Sequence, residues 1–192
     1  MRKIQKSKIT VITVVKNGMP YIEDSIESFN SQTYKNKELV VVCSESSDGT
    51  LEYLKKNKNK INQLIIDDKS KNKYEAINLG IKNAKGNIIG VLHADDFFAD
   101  KNILKKISYT HEKYKSIDLT YGNVLFCKRN NINKVSRYWK SNNYKKDSIN
   151  KGWMPPHTTL FINKKIYKEL QYSNKYNISA DYEFIIKLFS KK

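Results

Sequence analysis

The chain has 192 residues, of which 39% are hydrophobic; this suffices for one domain with a sizeable core, and a mean hydropathy of −0.67 predicts a polar surface. No long uncharged apolar run is present, so no spanning helix is expected; Cys43 and Cys127 lack both metal spacing and the numbers for a disulfide framework, which makes a reducing cytosol the simple reading. Lysine and arginine number 36 against 19 acids, a formal net charge of +17, which points either to an anionic partner (nucleic acid, a membrane face, a phosphorylated substrate) or to a solvated lysine-rich surface.

The N-terminal MRKIQKSKITVITVV is basic and then apolar. Its apolar part is β-branched and has no small-residue cleavage site, so it reads as a strand over 8–15 and not as a signal peptide. A helix follows in NGMPYIEDSIESFNSQ, where Pro20 suits a first turn and Ile22, Ile26 and Phe29 recur at helical spacing. ELVVVC (38–43) is a second strand. SSDGTLEYLKKNK is a helix with Ser47 and Asp48 as candidate caps. INQLIID (61–67) is a third strand. KYEAINLGIKNAKG is a helix with Ala76, Ile77, Gly80, Ile81 and Ala84 on one face, closed by Gly86. NIIGVLH is a fourth strand, and DKNILKKISYTHEKY a further helix.

This alternation predicts an α/β fold with a parallel, doubly wound sheet, whose ligands bind beyond the carboxyl ends of the strands. Glu45 falls at that end after the second strand, Asp67 and Asp68 after the third, and Asp95 and Asp96 after the fourth. The second half changes character. DLTYGNVLFCKRNNINKVSRYW reads as a hairpin turning near RNNIN, GWMPPHTTLFI leads into another strand, and NKKIYKEL is a short helix. SADYEFIIKLFSKK is a final helix with Ser179 as its cap. No repeat or linker is visible.

Two adjacent carboxylates at a strand terminus are costly unless compensated. A divalent cation compensates them; aspartate oxygens suit Mg²⁺ or Mn²⁺, and such ions bridge protein carboxylates to substrate phosphates. The ordinary alternative is a helix-capping Asp-Asp turn.

Four ordered blocks bear on that choice: KITVITVVKNGMPYIEDSIESFNSQTYKNKELVVV, SSDGT, KYEAINLGIKNAKGNIIGVLHADD, and PPHTTLFINKKIYKE with NISADYEFIIKLF. Together they resemble the family 2 glycosyltransferases of GT-A fold, in particular the bacterial branch that builds capsule and exopolysaccharide, over nearly the whole chain. The resemblance implies one domain over 1–192, with a nucleotide-sugar-binding half in 1–100 and a C-terminally short acceptor-side half in 101–192. It implies a nucleotide-sugar donor, UDP-linked by family habit, with Mn²⁺ or Mg²⁺ on its diphosphate held by Asp95 and Asp96. Asp181 falls on the general-base position, giving inversion at the sugar; a helix N-terminal acid favoured by the dipole is the structural alternative. Thr13 and Val15 would border the nucleobase, Asp68 the base or ribose, and Tyr74 and Asn78 the donor. His157 falls on the acceptor side.

The resemblance also implies a glycan or polyprenyl-phosphate-linked acceptor and a cytoplasmic protein working at the inner membrane face, where a lysine-rich surface meets anionic lipid. The chain departs from the family at several positions. Cys43, followed by Ser44, stands where an acid usually ends the second strand, leaving Glu45 as the nearest carboxylate. His93 stands in place of Asp or Asn, and Ser70 in place of an acid. The chain stops at Lys192, as a fragment or as a short member with an open acceptor site. A nucleotide-binding domain without turnover is therefore a rival reading. A basic nucleic-acid-binding module is another; it explains the charge but not the acid pair or the ordered blocks, and no nucleic acid is expected.

Overall fold

A computed structural model describes residues 7–190. Strands β1 (Ile9–Val15), β2 (Lys37–Cys43), β3 (Gln63–Ile66) and β4 (Ile88–Val91) alternate with helices α1 (Ile22–Asn30), α2 (Thr50–Lys56), α3 (Lys73–Asn83) and α4 (Ile103–Lys113). The remainder supplies β5 (Leu119–Thr120), a hairpin of β6 (Val124–Lys128) and β7 (Asn131–Trp139), then β8 (Phe161–Asn163) and α5 (Ala180–Ser190). The residues before Ser7, and the end of the expected final helix at Lys191 and Lys192, lie outside the described residues. Among the described residues no helix is long and apolar enough to cross a membrane.

The main sheet runs β3-β2-β1-β4-β8-β5; its first four strands are mutually parallel, and β8 pairs antiparallel with both β4 and β5. The chain moves outward from β1 to β3, then crosses back to place β4 on the other side of β1. That reversal opens a crevice at the carboxyl ends of β1 and β4. The strands read as continuous apolar runs because both faces are covered. In β2, Leu39, Val41 and Cys43 pack with Ile22, Ile26 and Phe29 of α1 and Leu104 of α4. Val40 and Val42 point the other way, onto Ile77 and Ile81 of α3 and Phe184 and Ile185 of α5. Each such side chain stabilises the fold by about 1.5–3 kcal/mol.

Several local expectations are corrected. Pro20 lies ahead of α1, whose cap position is Tyr21. Gly49, at φ +87°, precedes α2, and it is the Asp48 carboxylate, not Ser47, that accepts from the Thr50 N–H (3.0 Å). Leu119 and Thr120 belong to the main sheet edge beside β8 and not to the hairpin, which starts at Val124. The short helix after β8 is a single 3-10 turn, Lys164–Lys168. Ser179, at φ +72°, stands directly ahead of α5 as expected, and its carbonyl accepts from the Glu183 N–H (3.1 Å).

Gly86 does not cap α3, which ends three residues earlier. A Cβ there would meet the Thr10 backbone nitrogen at 2.6 Å and the Lys8 carbonyl oxygen at 2.7 Å. The Gly86 N–H donates to Thr10 Oγ1 (2.8 Å), which in turn donates to the buried Glu38 carboxylate (2.6 Å), so no side chain fits between. Gly86→Ala is expected to destabilise the protein by about 1–3 kcal/mol, read as a lower urea midpoint at unchanged slope.

Candidate active site

The loops beyond β1 and β2 are laced together. The Asn17 N–H donates to Ser46 Oγ (3.1 Å) and the Ser47 N–H to Asn17 Oδ1 (2.8 Å). Gly18 N–H donates to Thr50 Oγ1 (2.9 Å), and Met19 N–H to the Asp48 carboxylate (2.8 Å). Bonded first by the Thr50 hydroxyl and then by backbone N–H groups, that carboxyl is held below its usual range. The SSDGT turn thus fixes the rim of the crevice, and these bonds join segments about 30 residues apart in sequence.

Within that rim Thr13 is fully buried with its hydroxyl unpartnered, and Val15 is buried in the α1-side core. Glu45 is exposed beyond β2, and Cys43 is a buried free thiol whose pKa burial raises. After β3 the structure separates two neighbouring acids. Asp68 is exposed, whereas Asp67 is buried; Asp67 Oδ1 accepts from the Lys69 and Ser70 N–H groups (3.1 Å each) and Oδ2 has no partner. Burial pushes the Asp67 carboxyl up, but the Ser70 and Lys69 donors outweigh it and hold the pKa below the usual range. A buried, ionised oxygen with a free lone pair is a ready acceptor for a ligand N–H.

The segment after β4 carries His93, Asp95 and Asp96 and is fastened to α1 and the turn just after it. Ser25 Oγ donates to the His93 carbonyl (3.3 Å), Phe98 N–H to Ser28 Oγ (3.2 Å), and Gln32 Nε2 to the Asp100 carbonyl (2.8 Å). Asp95 is exposed and Asp96 partly buried; none of the ion pairs among the described residues reaches either. Burial raises the pKa of Asp96; His93 opposes this and the Asp95 charge adds to it. Two hard carboxylates outside every ion pair of the described residues fit an ion that takes one or two ligands from the chain and the rest from substrate phosphate and water. No cluster of three or more His, Cys, Asp or Glu among the described residues forms a self-sufficient cage.

Across from this segment, at the start of α5, Asp181 Oδ1 accepts from the Tyr74 hydroxyl (2.9 Å) and the Tyr182 N–H (3.0 Å). Burial works against ionisation, but the Tyr74 hydroxyl, then His157 and the Tyr182 N–H, keep the carboxyl below the usual range. Tyr74, fully buried, stacks on Tyr172 with ring centroids 6.0 Å apart. Asn78 clamps the same tyrosine: its amide donates to the Tyr172 carbonyl (2.8 Å) and accepts from the Tyr172 N–H (3.1 Å). These contacts give Tyr74 and Asn78 a place in the framework that holds α3 against the 170s and α5.

His157 Nε2 lies 2.7 Å from the Tyr172 hydroxyl, and its Nδ1 is buried without a partner. Its ring meets His93 edge-on at 6.0 Å, joining the Asp95–Asp96 segment to the surroundings of Asp181. Burial, then the nearby His93, lower the His157 pKa to about 4. The unfolded chain takes up that proton near pH 6.5. Between the two values the unfolded state binds more protons, so stability rises with pH across that window and is lost on acidification. The expected loss between about pH 6.5 and 4 is up to about 3 kcal/mol, and urea titrations of the parent and of His157→Gln should show this part of the slope only in the parent.

Trp153 is a core residue: it packs with Tyr121, Tyr144 and Phe189, and its indole N–H donates to the Ser141 carbonyl (2.7 Å).

With this geometry in hand, the family model for glycosyl transferase family 2 matches residues 10–183. The chain belongs to that family. A relative from Methanocaldococcus jannaschii, the uncharacterized glycosyltransferase MJ1057, is 27% identical over 193 residues, covering 96% of this chain and 66% of that protein. S. aureus TarS 1-349 in complex with UDP-GlcNAc superposes with a TM-score of 0.75 at 19% identity, over 95% of this chain and 53% of that one. The mannosyltransferase PcManGT from Pyrobaculum calidifontis, in complex with GDP-Man and Mn²⁺, gives 0.63 at 19% identity, over 93% and 50%. The fold is that of the GT-A glycosyltransferases, and the chain spans only part of the length of each of these proteins.

Proposed function

We propose that this glycosyl transferase family 2 chain moves a sugar from a nucleotide-diphosphate donor, UDP-linked, to an acceptor hydroxyl with inversion. One observation carries the reading. His93, two residues before Asp95, meets His157 edge-on at 6.0 Å, and His157 in turn acts on the ionised Asp181 carboxylate, which supports a reading in which the acid pair and Asp181 serve one site. An in-line displacement needs both parts: negative charge leaves on one side, and a base waits on the other.

In this reading the nucleotide lies over β1–β3, with residues 1–100 as the donor half. The Asp67 Oδ2 lone pair suits the imide N–H of uracil, and Asp68 and Glu45 line the outer rim. Asp181 accepts the proton of the acceptor hydroxyl as its oxygen attacks the anomeric carbon. The bond from that carbon to the diphosphate oxygen breaks, and the nucleoside diphosphate departs. A divalent ion held by Asp95 and Asp96 would supply positive charge against that diphosphate. Tyr74 keeps Asp181 Oδ1 fixed, which leaves Oδ2 to meet the acceptor. The TarS complex with UDP-GlcNAc and the PcManGT complex with Mn²⁺ support the donor class and the metal by likeness of fold. The acceptor belongs to the hydroxyl-bearing glycans or polyprenyl-phosphate-linked sugars, received by residues 101–192 around His157.

A domain that binds nucleotide without turnover is the second reading, favoured by the neutral, buried Cys43 at the end of β2, where the family resemblance implies an acid. Thermal unfolding with UDP and UDP-sugars, each with and without Mn²⁺, tests binding. Ligand at 100 times its Kd stabilises by about 2.7 kcal/mol, so a clear upward shift with UDP plus Mn²⁺ is expected. No shift with any nucleotide would defeat both readings. A shift with no release of UDP from UDP-sugars would leave the second.

A further inference from the structure

The β6–β7 hairpin stands apart from the main sheet and exposes apolar side chains on both of its faces. Leu125 pairs across the ladder with Tyr138, and Cys127 with Val135; Phe126, on the opposite face, pairs with Arg137. Leu125, Phe126, Ile132, Val135 and Tyr138 are each between 40% and 53% exposed. A two-stranded ribbon is marginal by itself in water, and a ribbon with neither face buried needs a covering surface.

Its charge says what kind. Lys128, Arg129, Lys134, Arg137 and Lys140 lie on the hairpin or at its end, and there is no acid anywhere between Asp118 and Asp147. The Arg137 guanidinium lies over the Phe126 ring at 5.2 Å and over Trp139 at 5.8 Å, so cations and rings are interleaved and not sorted into separate patches. Cations would suit a nucleic acid or an acidic protein equally well. Exposed aliphatic groups such as Leu125, Ile132 and Val135 add nothing to phosphate binding and are costly in water. A lamellar surface with an anionic headgroup layer above an apolar interior accepts both at once, with side chains of this length reaching the headgroup–acyl boundary.

We infer that the β6–β7 hairpin is a docking element for anionic lipid bilayers. The Arg129 guanidinium lies over the Tyr21 ring at 4.7 Å, in the loop between β1 and α1, so the hairpin tip leans on the rim of the crevice. Docking through it would bring the mouth of the site to the membrane plane. The inference concerns binding alone and stands whether or not the chain turns over a sugar donor.

Sedimentation with vesicles of phosphatidylcholine and phosphatidylglycerol (3:1), compared with phosphatidylcholine alone, tests it. The parent should pellet with the anionic vesicles at low salt and much less with the neutral ones. Leu125→Ser/Val135→Ser should lower partition at least tenfold. Lys128→Gln/Lys134→Gln should lower it by about fivefold for each charge removed, and Lys82→Gln/Lys105→Gln on α3 and α4 much less. A fluorophore on Cys127, which unlike Cys43 is not fully buried, should shift to the blue with anionic vesicles. The inference fails if the apolar double variant partitions like the parent, because net charge then suffices. It fails equally if the α3/α4 pair matters as much as the hairpin pair, or if the parent stays in the supernatant. A solution dimer broken by Leu125→Ser/Val135→Ser would assign the ribbon to a second copy, and an oligonucleotide affinity lost in that same variant would assign it to nucleic acid.

Discussion

Asp181→Asn is expected to lower kcat/KM for sugar transfer by about 10²–10⁴-fold while leaving UDP-induced stabilisation intact. The asparagine keeps the shape and can still accept from the Tyr74 hydroxyl and the Tyr182 N–H, so the fold at the start of α5 should hold. What it loses is the capacity to take a proton from the acceptor. Because Tyr74, His157 and Tyr182 outweigh burial and keep the Asp181 carboxyl below the usual range, this proposed base is ionised throughout the neutral region. The acid limb of kcat/KM should therefore lie below the ordinary carboxylate titration, with no loss between pH 6 and 8 from this group. Tyr74→Phe removes the largest of the influences that lower that pKa, so its acid limb should move to higher pH. A helix-capping role for Asp181 predicts the reverse pattern: a fall in melting temperature with little change in rate, measured by initial-rate kinetics alongside thermal unfolding.

The second large effect belongs to the acid pair. Asp95→Asn/Asp96→Asn should abolish the extra stabilisation that UDP gains from Mn²⁺ and reduce turnover by 10³-fold or more, several kcal/mol of lost charge stabilisation. The unliganded variant should be no less stable than the parent. Burial and the neighbouring Asp95 charge push the Asp96 carboxyl upward against the opposing pull of His93, and no ion pair among the described residues reaches it, so neutral side chains remove a net penalty and break no ion pair. Loss of metal response together with equal or higher intrinsic stability is the signature of a ligand site. A capping turn would instead lose stability and leave the metal response unchanged. Isothermal titration of Mn²⁺ into the UDP complex, with urea unfolding of each apo protein, separates the two.

Much of the N-terminal half was legible in the sequence because parallel strands buried on both faces leave no choice of residue. ITVITVV, ELVVVC and NIIGV can be satisfied only by a sheet covered on two sides, and the intervening helices carry periodic apolar faces. The hairpin turn at Arg129 and Asn130 was equally local. The C-terminal half was harder. Leu119–Thr120 is too short to announce itself as a strand, and it becomes one only because β8 offers a partner edge. Gly86 looked like a helix cap because only its own helix was in view; the Thr10 and Lys8 backbones that exclude a side chain lie some 76 residues away in sequence.

The sequence by itself determined the doubly wound order of strands and helices and the carboxylates at the strand ends, since periodicity and turn chemistry are local properties of the chain. It could not decide which of two neighbouring acids faces inward. Asp67 and Asp68 differ by one position, and only the close of β3 against β2 turns one into the protein and the other to solvent. Nor could it show that Tyr74 holds Asp181, that Asn78 clamps Tyr172, or that His93 meets His157. Those partners are separated by 64 to 107 residues of chain, and a contact over that distance exists only after the sheet has brought α3, α5 and the β4 loop to one end.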